Sequence, residues 1–74
     1  MKTNLQRFKY RVLDSSGMVS QHFPQIDYAL GHLAALLQTG EERVTLEEKR
    51  EILKDGSGCF EWFHVSTVSE YHVQ

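Results

Sequence analysis

Residues 23–40 read FPQIDYALGHLAALLQTG, and this stretch decides the fold. Its apolar residues recur at steps of three and four, the spacing of one face of an α-helix; they are Ile26, Ala29, Leu30, Leu33, Leu36 and Leu37. Pro24 suits a first helical turn, where a missing N–H loses no intrahelical bond. Thr39-Gly40 is a stop signal, because glycine accepts the left-handed conformation that ends many helices. The stretch therefore predicts one amphipathic helix.

Two strands are predicted before this helix. Residues 6–13 alternate between apolar and basic side chains, residues 14–17 (DSSG) form a turn cluster, and residues 18–23 read as a second strand. A four-residue hairpin loop would place the apolar side chains of both strands on one face. The expected pairs are Leu13 with Met18, Val12 with Val19, Tyr10 with Gln21, and Phe8 with Phe23.

Residues 41–54 allow two interpretations. Thr45 to Glu48 fit a capping box, so a second short helix over residues 45–54 is the alternative. The turn signal at residues 55–58 (DGSG) leads directly into a strand over residues 59–65, which favours a long hairpin. That hairpin would pair Ile52 with Cys59, Arg50 with Glu61, and Leu46 with Val65.

The sequence thus predicts a single small α+β domain over residues 1–74, with the order β-β-α-β-β. An antiparallel sheet of four to five strands would carry the one main helix on one face. Residues 67–73 would continue the last strand or form a short edge strand. The side chains expected to meet the helix are Phe8, Tyr10, Val12, Val19, Phe23, Val44, Leu46, Ile52, Phe63 and Val65.

Length and composition limit what this domain can be. A chain of 74 residues buries only about 60% of its unfolded surface, so we expect help from oligomerisation or a bound partner. The single Cys59 cannot form an internal disulfide, which fits a reducing compartment such as the cytoplasm. We see no signal peptide, and the apolar run at residues 29–37 is too short to span a membrane.

The strand over residues 59–65 has apolar bulk on both faces. Phe60 and Trp62 point away from Cys59, Phe63 and Val65, and Leu53 joins them across the hairpin. Because one helix covers one face of a sheet, this second group predicts an interface with a protein partner or with a second copy in a homodimer. The alternative is that the sheet twists and that the stems of Lys49 and Glu51 lie over the rings.

The first strand interleaves aromatic and basic residues, as single-strand nucleic-acid binders do. Alternation would place Phe8 and Tyr10 in the core and leave a basic stripe of Arg7, Lys9 and Arg11. These three are the candidate phosphate contacts of a nucleic-acid-binding accessory protein, the alternative function. A solvated strand face explains the same stripe.

No catalytic, cofactor or metal signature is present in the sequence. His22, His32, His64 and His72 lack the short spacing of metal ligands, and Cys59 and His64 have opposite parity on their strand. We therefore predict that the chain has no enzymatic activity and no cofactor, and that it binds a protein partner. The chain is similar in size to small inhibitors and adaptors of bacteria and their phages, and like them it shows no catalytic or cofactor signature. The analogy rests on size and architecture alone.

Overall fold

A computed structural model of the chain describes residues 8–69. The elements in chain order are β1 (Tyr10–Leu13), β2 (Val19–Phe23), α1 (Ile26–Gln38), β3 (Arg43–Lys54) and β4 (Ser57–Ser69). The four strands form one antiparallel sheet in the order β2-β1-β3-β4, and α1 packs on it. The predicted α+β fold and its β-β-α-β-β order are confirmed.

The alternative helix over residues 45–54 is wrong, because the whole segment belongs to β3. Thr45 does not cap a helix; its hydroxyl lies 3.2 Å from the hydroxyl of Thr67 on β4. Residues 43–54 pair with β4 along their length, and residues 45–48 also pair with β1. Hydrogen bonding on both sides outweighs the good helix propensity of this segment.

Helix α1 ends as predicted but begins later. Gln25 is its N-cap residue, so Pro24 precedes the helix and does not occupy the first turn. At the other end the Glu41 N–H donates to the Leu36 carbonyl and the Gly40 N–H to the Leu37 carbonyl. Gly40 has φ +108°, and these two bonds around it make a Schellman motif.

The first hairpin has a different register from the predicted one. Tyr10 lies opposite Phe23 and Val12 opposite Gln21, and an irregularity between Val12 and Leu13 brings Leu13 opposite Val19. Phe8 therefore does not meet Phe23, and its ring lies 6.2 Å from that of His22. The turn is held by the Asp14 carboxylate, which accepts from the N–H groups of Ser16 and Met18.

The second hairpin agrees with the prediction near its turn. Asp55 and Gly56 have φ values of +53° and +78°, the backbone of a type I′ turn, and Ile52 pairs with Cys59 and Arg50 with Glu61. A register shift between Leu46 and Glu47 then places Leu46 opposite Ser66, so the predicted Leu46–Val65 pair is wrong. Residues 67–69 continue β4, and residues 70–73 lie outside the described residues.

The core is smaller than predicted. Its buried residues are Val12, Phe23, Ala29, Leu33, Val44 and Leu46, with Tyr10, Leu36, Leu37 and Val68 packed around them. Val19 and Val65 are 40% and 41% exposed, because the two register shifts take them out of the position that the alternation predicts. Ile52 and Phe63 are only half-buried and do not belong to this cluster, and neither does Phe8.

The second hairpin is longer than the rest of the sheet. Strand β1 accompanies β3 as far as Glu48, and α1 packs against β3, β1 and β2. We call residues 49–62 the distal hairpin. Most of it has no neighbouring strand beyond its own two, and its described side chains include none that is buried. The chain is accordingly elongated, with principal extents of 43 × 24 × 20 Å.

Candidate functional site

The candidate site lies on the outer face, defined here as the face of the sheet opposite α1. Val44 and Leu46 point toward the helix, so alternation places Lys49, Glu51 and Leu53 of β3 on the outer face. Their partners on β4 are Trp62, Phe60 and Gly58. The three residues predicted to form an interface, Leu53, Phe60 and Trp62, therefore share one face; we call them the outer patch.

Trp62, at the base of the outer patch, is the best covered of the three. The guanidinium carbon of Arg11 lies 4.4 Å from the centre of the Trp62 ring. The ring centre of His22, on the same face of the sheet, lies 5.5 Å from it. Such a cation over an aromatic face is an attractive contact that also removes ring surface from water. The indole is consequently half-buried and held in one place by its own chain.

Coverage falls toward the turn of the distal hairpin. Phe60 is 55% exposed, although the Lys49 ammonium lies 5.1 Å from its ring centre. Leu53, one step nearer the turn, is 80% exposed. The Glu51 side chain reaches over Gly58. The alternative prediction that charged stems cover the rings thus applies to Lys49 but leaves much of Phe60 and most of Leu53 in contact with water.

Arg11 has two roles in this arrangement. Besides lying over Trp62, its Nε donates to Glu47 Oε1 at 2.7 Å, and the two side chains are only 24% and 19% exposed. Arg11 lies opposite Glu47 because β1 and β3 are neighbours. Of the other candidate phosphate contacts, Lys9 is exposed and Arg7 lies outside the described residues.

The helix-side face of the distal hairpin is partly sheltered. The Arg50 guanidinium lies 4.9 Å from the ring centre of Phe63 and donates to Glu48 at 2.9 Å. Ile52 and Cys59 pair beside it and are half-buried. The largest exposed apolar side chains of the distal hairpin, Leu53 and Phe60, thus lie on the outer face.

The polar groups do not assemble into a recognisable catalytic or metal site in the described part of the chain. Cys59 and His64 lie on opposite faces of β4, as their parity predicts, and His64 Nε2 is 2.7 Å from the Thr67 hydroxyl. Sequence reasoning missed the contact between Ser20 Oγ and His32 Nε2, 2.8 Å apart, which links β2 to α1. Across residues 8–69 no three metal-ligating side chains form a group.

Comparisons with known protein families, curated proteins and solved structures found no match. Among residues 8–69 there is no helix with the length and apolar character needed to cross a membrane.

Proposed function

We propose that this chain is a non-enzymatic protein-binding domain that acts in the cytoplasm through its outer patch, as an inhibitor or adaptor of the bacterial or phage type. The observation that carries the proposal is the exposure of Leu53 and Phe60 on a hairpin that extends beyond the helix-covered sheet. Apolar side chains left in water at the end of a projecting element gain most by being covered by another protein surface.

The outer patch has the composition of a binding hot spot. Trp is enriched among the residues that dominate binding energy, and here Arg11 and His22 already restrain the indole. A ring held in place loses little conformational freedom when a partner binds, so more of the contact energy appears as affinity. Lys49 and Glu51 flank the rings with both signs of charge, which suits the polar rim of a protein interface.

A nucleic-acid partner is less well supported by the same geometry. Arg11 is already engaged by Glu47 and Trp62, and Phe8 and Tyr10 are only half-exposed. Binding of labelled single-stranded DNA that weakens steeply with salt and is lost in Lys9→Ala would favour the alternative function.

The test of the proposed function is a capture experiment from extract of the native host. The native chain is compared with Phe60→Ser and Trp62→Ala on the outer patch, and with Leu30→Ser as the matched control. Leu30 is 46% exposed on α1, on the other side of the sheet, so its replacement removes similar apolar surface elsewhere. Circular dichroism and the urea midpoint check that every variant is folded.

We expect one or more proteins to be retained by the native chain and by Leu30→Ser, and to be lost or strongly reduced with both outer-patch variants. Equal recovery of every protein by all four chains would exclude the outer patch as the binding surface. Loss with Leu30→Ser alone would assign binding to the helix side instead.

A further inference from the structure

The backbone of β4 presents hydrogen-bonding groups at the edge of the sheet. In a hairpin closed by a two-residue turn, the residues flanking the turn bond to each other, and bonded and non-bonded pairs then alternate. Lys54 and Ser57 flank the Asp55-Gly56 turn, so the pairs that include Gly58, Phe60 and Trp62 are the non-bonded ones. The N–H and C=O groups of these three residues therefore point away from β3.

A hydrogen bond on the other side of β3 leads to the same assignment. The Lys49 N–H donates to the Lys9 carbonyl at 2.7 Å, toward β1 and away from β4. Trp62 lies opposite Lys49, so its own backbone groups face the opposite direction, toward the edge. Within the described residues no strand lies along that edge.

This edge lacks the devices that usually prevent strand pairing. Residues 57–63 contain no proline and no lysine or arginine, and their only charge is Glu61. They are also regular, because the register shift in β4 comes after His64. The other edge strand, β2, is only five residues long. The open edge of β4 is thus the longer and less protected of the two.

We infer that β4 pairs antiparallel with β4 of a second copy of this chain, joining two four-stranded sheets into one of eight strands. A two-fold axis through Phe60 places Phe60 opposite Phe60 of the second copy and Gly58 opposite Trp62 of the second copy. Every backbone group that these residues present at the edge is then bonded across the axis.

Neighbouring registers are less favourable. A two-fold axis through Glu61 would set two carboxylates directly opposite each other, which is destabilising in a sheet. An axis through Trp62 would bring Gly58 opposite Ser66, beyond the register shift in β4. An axis through Cys59 also stays within residues 57–63 but brings Trp62 opposite Gly56 in the turn, so the register centred on Phe60 pairs more of the edge.

A second copy fits the edge in charge. Residues 49–62 contain three bases (Lys49, Arg50, Lys54) and three acids (Glu51, Asp55, Glu61), so two copies meet without net repulsion.

This inference goes beyond the proposed function, because it uses the edge of the sheet and leaves the outer patch on a face. A two-fold axis perpendicular to the sheet places both outer patches on the same side of the dimer. Phe60 belongs to both surfaces, but the capture experiment scores foreign proteins and the test below scores self-association, so either can fail while the other succeeds.

The test is analytical ultracentrifugation of the native chain, Phe60→Pro and Phe60→Thr over a wide range of concentration. Proline removes the edge N–H without breaking a bond to β3, and prolines are tolerated on edge strands. Threonine keeps the N–H and removes the same ring. We expect a native dimer whose association is weakened roughly 100-fold or more by proline, through two lost hydrogen bonds and the ring, and clearly less by threonine.

Two outcomes would overturn the inference: a native chain that remains monomeric at high concentration, or equal weakening by proline and threonine, which would assign association to the ring alone. If Phe60→Pro does not fold, a Cys59→Ser, Phe60→Cys variant decides. Opposed residues of a bonded pair have Cα atoms about 5.5 Å apart, within disulfide range. We expect this variant to form a covalent dimer on oxidation, and the Cys59→Ser, Leu53→Cys variant to form none. A covalent dimer from the Leu53→Cys variant but not from the Phe60→Cys variant would contradict the register.

Discussion

The two halves of this sheet both carry apolar side chains but differ in what covers them. The half that contains β1, β2 and residues 43–48 of β3 lies under α1 and holds most of the core. The distal hairpin carries Ile52, Leu53, Phe60 and Trp62, yet no described side chain in it is buried. The difference shows that a 13-residue helix sets the size of the core, and that apolar residues beyond its reach stay partly or largely exposed.

The largest expected effect of this difference is on the free energy of unfolding. Leu46 is 1% exposed beneath the helix, so Leu46→Ala should cost about 2–5 kcal/mol through lost burial and the cavity left behind. Leu53 is 80% exposed, and Leu53→Ala should change the free energy of unfolding by no more than about 0.5 kcal/mol. Urea denaturation of the two variants at one dilute concentration measures both. Similar losses of unfolding free energy in the two variants would mean that Leu53 is covered to the same degree as the core.

The turn of the distal hairpin should matter less than the core. Gly56 has φ +78°, and Gly56→Ala should cost about 1–2 kcal/mol because a Cβ is unfavourable in that conformation. The matched control is Gly31→Ala on α1, where a Cβ would meet nothing within 4 Å and should stabilise the helix by up to about 1 kcal/mol. The shift of the urea midpoint shows whether each substitution lowers or raises the free energy of unfolding. A neutral Gly56→Ala would show that the type I′ turn does not hold the hairpin.

The link between the two halves is Arg11, which lies on β1 and covers Trp62 on β4. Arg11→Ala should move Trp62 fluorescence to longer wavelength and increase its quenching by acrylamide, because the guanidinium lies 4.4 Å from the ring centre. The loss of stability should be only about 0.2–1 kcal/mol, as is usual for ion pairs near a surface. Arg50→Ala is the control, since Arg50 covers Phe63 on the helix side. Identical spectra for the native chain and Arg11→Ala would remove Arg11 from this role.

The smallest effect concerns the turn between β1 and β2. The Ser16 hydroxyl and the backbone N–H groups of Met18, Ser16 and Gly17 hold the pKa of Asp14 below its ordinary value of 3.8. The ionised carboxylate thus stabilises the folded chain above that value, and its contribution is lost as pH falls through the lower folded pKa. The urea midpoint of Asp14→Asn should lie below the native midpoint at about pH 6 and approach it as the pH is lowered beyond 3.8. A difference that does not change with pH would contradict this.

Much of the fold was predictable because local signals agree with it. The apolar spacing of residues 26–37 marks the helix, Gly40 marks its end, and Asp55-Gly56 fixes the turn of the second hairpin together with the pairs next to it. The registers farther from a turn were not predictable. A shift between Val12 and Leu13 and another beside Leu46 change the pairing without disturbing the apolar alternation, so the sequence carries no visible sign of them.

The outer patch was predictable for the same reason as the second hairpin. Odd–even alternation counted from a well-defined turn places its three residues on one face of the sheet. The contact of Lys49 with Phe60 follows from their positions on the two paired strands. The cover over Trp62 was not predictable, because it depends on β1 lying next to β3 in the sheet. Ser15 is a similar case. It forms hydrogen bonds with Glu41, Glu42 and Arg43 because β1 lies next to β3, a neighbour relation that the sequence alone does not reveal.

The most direct test of whether Leu53 and Phe60 are left uncovered by their own chain is NMR of the dilute monomer with a soluble paramagnetic agent. We predict strong broadening of the Leu53 methyl and Phe60 ring signals, weaker broadening of the Trp62 ring, and little effect on the methyl groups of Val12, Val44 and Leu46. Leu53 and Phe60 signals protected to the same degree as the methyl groups of those three residues would show that the chain itself covers the outer face of the distal hairpin.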